Sequence, residues 1–83
     1  SGMACYTGRP GNPWKYSLFL GSLAESNLIR VTLQGYKIVG EERLLKEVGE
    51  RVRDVRVGPD DNLYVLTDEE DGKLLRIQPP KAP

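Results

Sequence analysis

Histidine is missing from this 83-residue chain. That absence removes Ser-His-Asp and Cys-His nucleophile systems, an imidazole general base and His-ligated zinc. Cysteine occurs once, as Cys5, which excludes an intrachain disulfide and every multi-Cys metal site. Net charge is also lacking, because 12 Lys and Arg balance 12 Asp and Glu. A zero balance gives no general pull toward nucleic acid or an anionic lipid surface. No apolar run approaches the roughly 18 residues of a membrane-crossing helix. The start, SGMACYTG, has neither the basic nor the apolar region of a signal peptide. The expectation is a soluble chain with no nucleic-acid partner, no membrane partner and no export signal of its own.

What is present points to short strands. Nine Gly and six Pro favour a turn-rich chain over a helical bundle. Apolar residues make up 39%, lean for a free-standing domain of a size whose core supplies only about 3–5 kcal/mol. Alternating runs between turn signals predict strands over Gly2–Thr7, Leu18–Leu23, Leu28–Leu33, Tyr36–Glu42, Val52–Val57, Leu63–Thr67 and Leu74–Ile77. Gly8 to Pro13, with two Gly and two Pro, cannot continue a ladder. Gly58 to Asn62 reads as a strong hairpin turn. Glu41 to Val48 (EERLLKEV) carries an apolar stripe of Leu44, Leu45 and Val48 that suits either a strand or two helical turns.

The chain also repeats itself. Ser17–Val31 (SLFLGSLAESNLIRV) lies over Asn62–Ile77 (NLYVLTDEEDGKLLRI). Leu18-Phe19-Leu20 matches Leu63-Tyr64-Val65, and Leu28-Ile29-Arg30-Val31 matches Leu74-Leu75-Arg76-Ile77, at an offset of 45 then 46 residues. A period of about 40–50 residues with three or four short strands per unit is a signature of β-propeller blades; two similar hairpins in a sandwich are the plainer alternative. The expected fold is all-β: two β-propeller-type antiparallel sheets of about seven strands in all, an incomplete propeller. Residues 1–48 would form the first blade-like sheet of a single domain and residues 49–83 a second, three-stranded one. Two blades cannot close a ring, since propellers need at least about four. The chain is therefore expected to be part of something larger or to complete itself by self-association, as a dimer or trimer.

The stretch Gly49 to Asp68 (GERVRDVRVGPDDNLYVLTD) resembles the soluble quinoprotein sugar dehydrogenases, the glucose/sorbosone or aldose sugar dehydrogenases. Their pattern there is Arg-x-Arg-Asp-Val, a Gly-Pro-Asp-Gly turn and Leu-Tyr-x-Leu-Thr-Asp. Upstream, Ser1-Gly2-Met3-Ala4, Tyr6-Thr7-Gly8, Pro13-Trp14 and Leu18 to Leu23 are similar to further segments of that family. The resemblance spans essentially the whole chain. It implies a six-bladed propeller of which these would be roughly the last two blades, a pyrroloquinoline quinone (PQQ) cofactor, and a periplasmic or secreted location. With no signal peptide in the chain itself, the compartment stays open.

Carried across residue by residue, the resemblance places Arg51 and Arg53 at the cofactor's carboxylates. The chemistry suits them: two Arg two apart on a strand share a face, and planar guanidiniums accept a polycarboxylate bidentately. A solvated charge stripe is the alternative, since Glu47, Glu50, Asp54 and Arg56 are close by. Asp54 would orient an Arg or cap a turn. Departures from the family pattern include Ala24 where a cofactor-contacting Lys is usual, Glu25-Ser26 for a Gly-rich turn, Cys5 for Phe, and Asp61 for the turn Gly. The family's general base is a His on an earlier blade, and its calcium is held by earlier loops. No catalytic residue and no metal ligand is therefore assigned, no cofactor is expected on the chain alone, and the isolated chain is not expected to be a dehydrogenase. The reading is a truncated homologue that retains part of a PQQ or small-anion site. The alternative is a non-catalytic self-assembling or protein-interaction module.

Three features carry plainer readings. Asp68 to Gly72 is an acidic loop, more a solvated hairpin than a calcium site. Tyr6, Trp14 and Tyr16 could stack a ring but suit gap-filling between blades. Cys5, on a strand among small residues, is expected to be a buried inert thiol.

Overall fold

The computed structural model describes residues 2–8, 11–22, 26–46, 48–68 and 70–81. The expectations on Ser1, Leu23, Ala24, Glu25, Glu47 and Glu69 lie outside the described residues. Seven strands follow in chain order: β1 (Met3–Tyr6), β2 (Ser17–Ser22), β3 (Asn27–Gln34), β4 (Lys37–Leu44), β5 (Val52–Val57), β6 (Leu63–Thr67) and β7 (Leu74–Ile77). They form two antiparallel meanders, β1-β2-β3-β4 and β5-β6-β7. There is no helix among the described residues.

Turn chemistry sets the registers. Gln34 pairs with Lys37, so Gly35-Tyr36 is a two-residue loop, and Gly35 takes the positive φ of 62° that such a hairpin needs at its first central position. At the other sheet's first hairpin, Asp61 adopts φ 63°. This is the left-handed position that the family turn fills with Gly and that Asp tolerates. The carboxylate of Asp60 fixes that loop by accepting from the Asn62 amide N–H at 3.1 Å.

The ambiguous Glu41–Val48 stretch is strand as far as Leu44. β4 stays paired with β3 to its last residue, Leu44 opposite Leu28. Leu45 then turns out of the ladder at φ 62°, a conformation no helix contains. Pairing with β3 satisfies the backbone from Glu41 to Leu44, and two isolated helical turns could not compete with it.

The core lies between the two sheets. Tyr6, Phe19 and Leu28 of the first sheet face Val52, Val55, Leu63 and Val65 of the second, all at most 1% exposed. Trp14 closes the cluster from the β1–β2 connection. The three rings meet edge to face, with Trp14 and Phe19 centroids 5.0 Å apart and Tyr6 6.0 Å from Trp14, the arrangement the ring quadrupoles favour. Tyr6 also ties the sheets by a polar contact: its hydroxyl donates to the Asp61 carbonyl at 2.6 Å and accepts from Asn12 Nδ2 at 3.3 Å. So Tyr6 and Trp14 fill space between the sheets, whereas Tyr16 is exposed, with Lys15 Nζ 5.2 Å from its ring centre.

Close approach is possible because the facing positions are small. A Cβ on Gly21 would sit 2.5 Å from Val52 Cγ1, and one on Gly2 would sit 2.8 Å from the Val55 nitrogen. Cys5 departs from expectation. It is exposed, because its register partner Leu18 belongs to the opposite face of the sheet from Phe19, and the Phe19 face is the one that meets the second sheet.

Candidate functional site

The two arginines lie at the start of β5, the edge strand of the second sheet. Val52 and Val55 are both buried although three residues apart, which strict alternation forbids. The ladder resolves this with a bulge: Val52 pairs with Thr67 and Asp54 with Leu66, leaving Arg53 as the extra residue. Arg51 precedes the strand. The shared-face argument from a period of two therefore gives way to a different cause. Arg51 lies outside the ladder and Arg53 is turned out by the bulge, and both are exposed.

Asp68 holds this edge in place. Its backbone N–H donates to the Arg51 carbonyl at 2.7 Å. Its carboxylate accepts from Arg53 Nη1 at 3.4 Å. That second contact is long, and the Arg53 side chain is 68% exposed, so it neutralises the guanidinium weakly. Arg51 has no ion-pair partner among the described residues. The remaining nearby charges are already matched. Asp54 accepts from the Val55 amide at 2.9 Å and from Arg56 Nε at 3.2 Å, so it orients Arg56. Glu50 pairs with Lys73, and that hydrogen bond, helped by the Thr67 hydroxyl, holds the Glu50 carboxyl below its ordinary 4.5 against a smaller opposing effect of desolvation.

The net result is an electropositive edge of two outward guanidiniums, which suits a ligand with two or more carboxylates. The sequence presents Asp68 as the start of an acidic loop and the end of the family-like motif, not as a partner of the two arginines. The available signal was its place at the end of β6, across the hairpin from Arg51 and Arg53. The acidic loop that follows brings Glu70 and Asp71 near Lys73 around an open depression also lined by Gly49 and Glu50. No group of three or more potential ligands converges on a metal position among the described residues. A second cavity of about 320 Å³ lies at one end of the first sheet, lined by residues that include Cys5, Tyr6, Tyr16 and Leu33.

Two meander sheets packed face to face, with an internal repeat between them, are consecutive blades of a β-propeller-type fold. Known proteins narrow this further. The model of the Glucose / Sorbosone dehydrogenase family matches residues 1–76, and the chain belongs to that family. It is 44% identical over 79 residues to the aldose sugar dehydrogenase YliI of Escherichia coli K12, covering 95% of this chain and 21% of that protein. It is 37% identical over 78 residues to the uncharacterized protein slr1608 of Synechocystis, covering 94% of this chain and 19% of the other. Among solved structures, a glucose dehydrogenase superposes with a TM-score of 0.91 at 57% identity, over 96% of this chain and 25% of that one. The apo soluble aldose sugar dehydrogenase of Escherichia coli superposes at 0.89 with 44% identity, over 96% of this chain and 23% of the other. The chain thus spans about a fifth to a quarter of the length of these relatives.

Proposed function

We propose that these two blades form the carboxylate-holding edge of a quinoprotein sugar dehydrogenase, with Arg51 and Arg53 as the residues that bind pyrroloquinoline quinone. The observation that carries this reading is the bulge that leaves Arg53 out of the ladder with an exposed side chain and one long ion pair, two residues from an exposed Arg51 that has no ion pair among the described residues. The donor set fits the cofactor: exposed guanidiniums match a polycarboxylate in charge and in planar geometry. When bound, such a quinone supplies the two-electron acceptor for sugar oxidation. Arg51 and Arg53 orient it through its carboxylates, and Asp68 positions both arginines, one through the main chain and one through the side chain. No residue of the chain is assigned the proton transfer that sugar oxidation requires, since it has no His. In this reading the chain binds and does not catalyse alone.

The test is a titration of the chain with pyrroloquinoline quinone, with and without calcium, followed by quinone absorbance and calorimetry. Saturable binding that disappears in the Arg51→Ala, Arg53→Ala double variant is expected. Absence of binding up to about millimolar quinone, or binding that survives the double substitution, overturns the reading. A second reading, a self-assembling module, is supported by a separate observation, the open apolar face of the first sheet.

A further inference from the structure

The loop of the β6–β7 hairpin holds the chain's one Asp-Gly pair, Asp71-Gly72. An aspartyl carboxyl can be attacked by the backbone nitrogen of the residue that follows it, and the surroundings of the other aspartates oppose this. The Val55 N–H is bound to the Asp54 carboxylate at 2.9 Å, and Arg56 holds that carboxylate again. After Asp60, the Asp61 N–H donates to the Gly58 carbonyl at 3.0 Å. After Asp61, the Asn62 N–H donates to the Asp60 carboxylate at 3.1 Å. The Asp68 carboxylate accepts from Arg53. Asp71 and Gly72 are placed differently. Both are exposed and lie between the strands, β6 ending at Thr67 and β7 starting at Leu74. The bonds that close the hairpin fall on the next residue: the Lys73 N–H donates to Thr67 Oγ1 at 2.7 Å, and its carbonyl accepts from the Thr67 N–H at 3.0 Å. Among the described residues, neither the Asp71 carboxylate nor the Gly72 N–H has a hydrogen-bond or ion-pair partner. Gly72 also has no Cβ to shield its nitrogen.

We propose that Asp71-Gly72 is a modification site, at which the folded chain converts spontaneously to isoaspartate. The Gly72 nitrogen attacks Asp71 Cγ, and the bond from Cγ to one carboxyl oxygen breaks as the new C–N bond forms. That oxygen leaves as water, taking the amide proton and a second proton from the medium. The product is a five-membered succinimide. Water then opens the ring at either carbonyl. Breaking the bond between nitrogen and Cγ restores Asp71. Breaking the bond between nitrogen and the Asp71 main-chain carbonyl carbon leaves the backbone running through Cγ, with a free α-carboxylate on the loop. One water is lost and one regained, so the conversion needs no oxidant and no co-reactant. Its product carries an extra methylene in the main chain between Thr67 and Lys73. The proposal is independent of the quinone reading, since it rests on neither Arg51 nor Arg53.

The test incubates the folded chain in neutral buffer beside a free peptide of residues 67–73. A protein-isoaspartate methyltransferase counts the product. Electron-transfer fragmentation of the tryptic peptide 57–73, which carries Asp60, Asp61, Asp68 and Asp71, places it. Isoaspartate should build up at Asp71 at least about tenfold faster than at any other aspartate. Because the loop needs no unfolding to react, the folded chain should convert within about tenfold of the peptide's rate. Gly72→Ala should slow the conversion at least about tenfold, with circular dichroism confirming the fold. Asp71→Glu keeps the charge but would require a six-membered ring, and should lose the signal. The proposal is overturned by isoaspartate that forms elsewhere and not at Asp71, by a signal that persists in Asp71→Glu, or by none at all. A folded chain that converts more than about tenfold slower than the peptide overturns it too, because the fold then protects the pair. Should Gly72→Ala lose its fold, this comparison of chain and peptide decides, since it needs no variant.

Discussion

Replacing Gly21 with Ala tests the inter-sheet contact more sharply than truncating a core side chain. Gly21 lies mid-strand with an ordinary backbone conformation, so on backbone entropy alone Ala should stabilise by about 0.4–1 kcal/mol. The packing argues the reverse. The added methyl would lie 2.5 Å from Val52 Cγ1, 3.2 Å from its Cβ and 3.3 Å from its carbonyl oxygen. Overpacking of this kind costs about 1–3 kcal/mol, so the clash outweighs the entropy and a net loss of about 1–2 kcal/mol is expected. Val52→Ala alone should cost about 2 kcal/mol, from two buried methyl groups at about 0.8 kcal/mol each plus an incompletely closed cavity. Together the two substitutions should be less harmful than the sum by about 1 kcal/mol, because Val52→Ala removes the nearest clashing atom while its Cβ and carbonyl remain close. Urea unfolding followed by Trp14 fluorescence reads all four members of the cycle, and Trp14 reports directly because it is 5% exposed inside the same cluster. A Gly21→Ala chain as stable as the parent, or strictly additive losses, would refute the claimed approach of β2 to β5.

Other expectations follow from single contacts. Tyr6→Phe keeps the ring packing but removes the hydroxyl's hydrogen bonds to the Asp61 carbonyl and from Asn12 Nδ2, and should cost about 1–2 kcal/mol in the same urea assay. The Arg51→Ala, Arg53→Ala double variant should stay within about 0.5 kcal/mol of the parent, since both side chains are exposed; a larger loss would mean that the pair is structural. Stability should also fall toward both pH extremes. The Glu50 carboxyl is held below 4.5 chiefly by Lys73, and that of Asp60 below 3.8 chiefly by the Tyr64 hydroxyl. Their contributions are complete above those ordinary values and vanish as pH drops through the lowered ones. Tyr64 is pushed above 10.0 by Asp60, so its contribution is complete below 10.0 and disappears as pH rises through the higher value. Tyr64→Phe should therefore remove the alkaline loss and reduce the Asp60 share of the acid loss, leaving the part that the Asn62 hydrogen bonds sustain and the Glu50 share, as read from urea midpoints against pH.

The strands were legible because this chain keeps local and global signals in agreement. Leu63-Tyr64-Val65 alternates as a half-buried strand should, and Gly58 to Asn62 before it is rich in turn-forming residues. Glu41–Val48 was not decidable locally. Leu44 and Leu45 are adjacent, which fits a helical stripe as well as the end of a strand, and the deciding influence is β3, whose outer edge needs a hydrogen-bonding partner. Cys5 shows the complementary limit. Alternation reveals that a strand has two faces, but which face meets another sheet is fixed by packing between sheets, and β1 happens to turn Tyr6 inward and Cys5 outward.

The arginine pair was found through its motif, while the geometry that makes it available came from a feature that the period-two argument overlooked. Buried Val52 and Val55 sit three apart in a strand, and a strand can bury such a pair only by inserting a residue into its ladder. Between them, Asp54 keeps its place in the ladder opposite Leu66 and Arg53 is the inserted, unpaired residue. Once that is recognised, the division of labour at the site follows from charge. Asp54 has an arginine of its own in Arg56, and Glu50 has Lys73. Asp68 reaches Arg53 only at 3.4 Å and gives Arg51 its backbone rather than its carboxylate. The positive charge at the mouth of β5 is thus a consequence of which carboxylates are already engaged. If the edge binds quinone as proposed, Asp68, the least committed of the three, would set how strongly it does so.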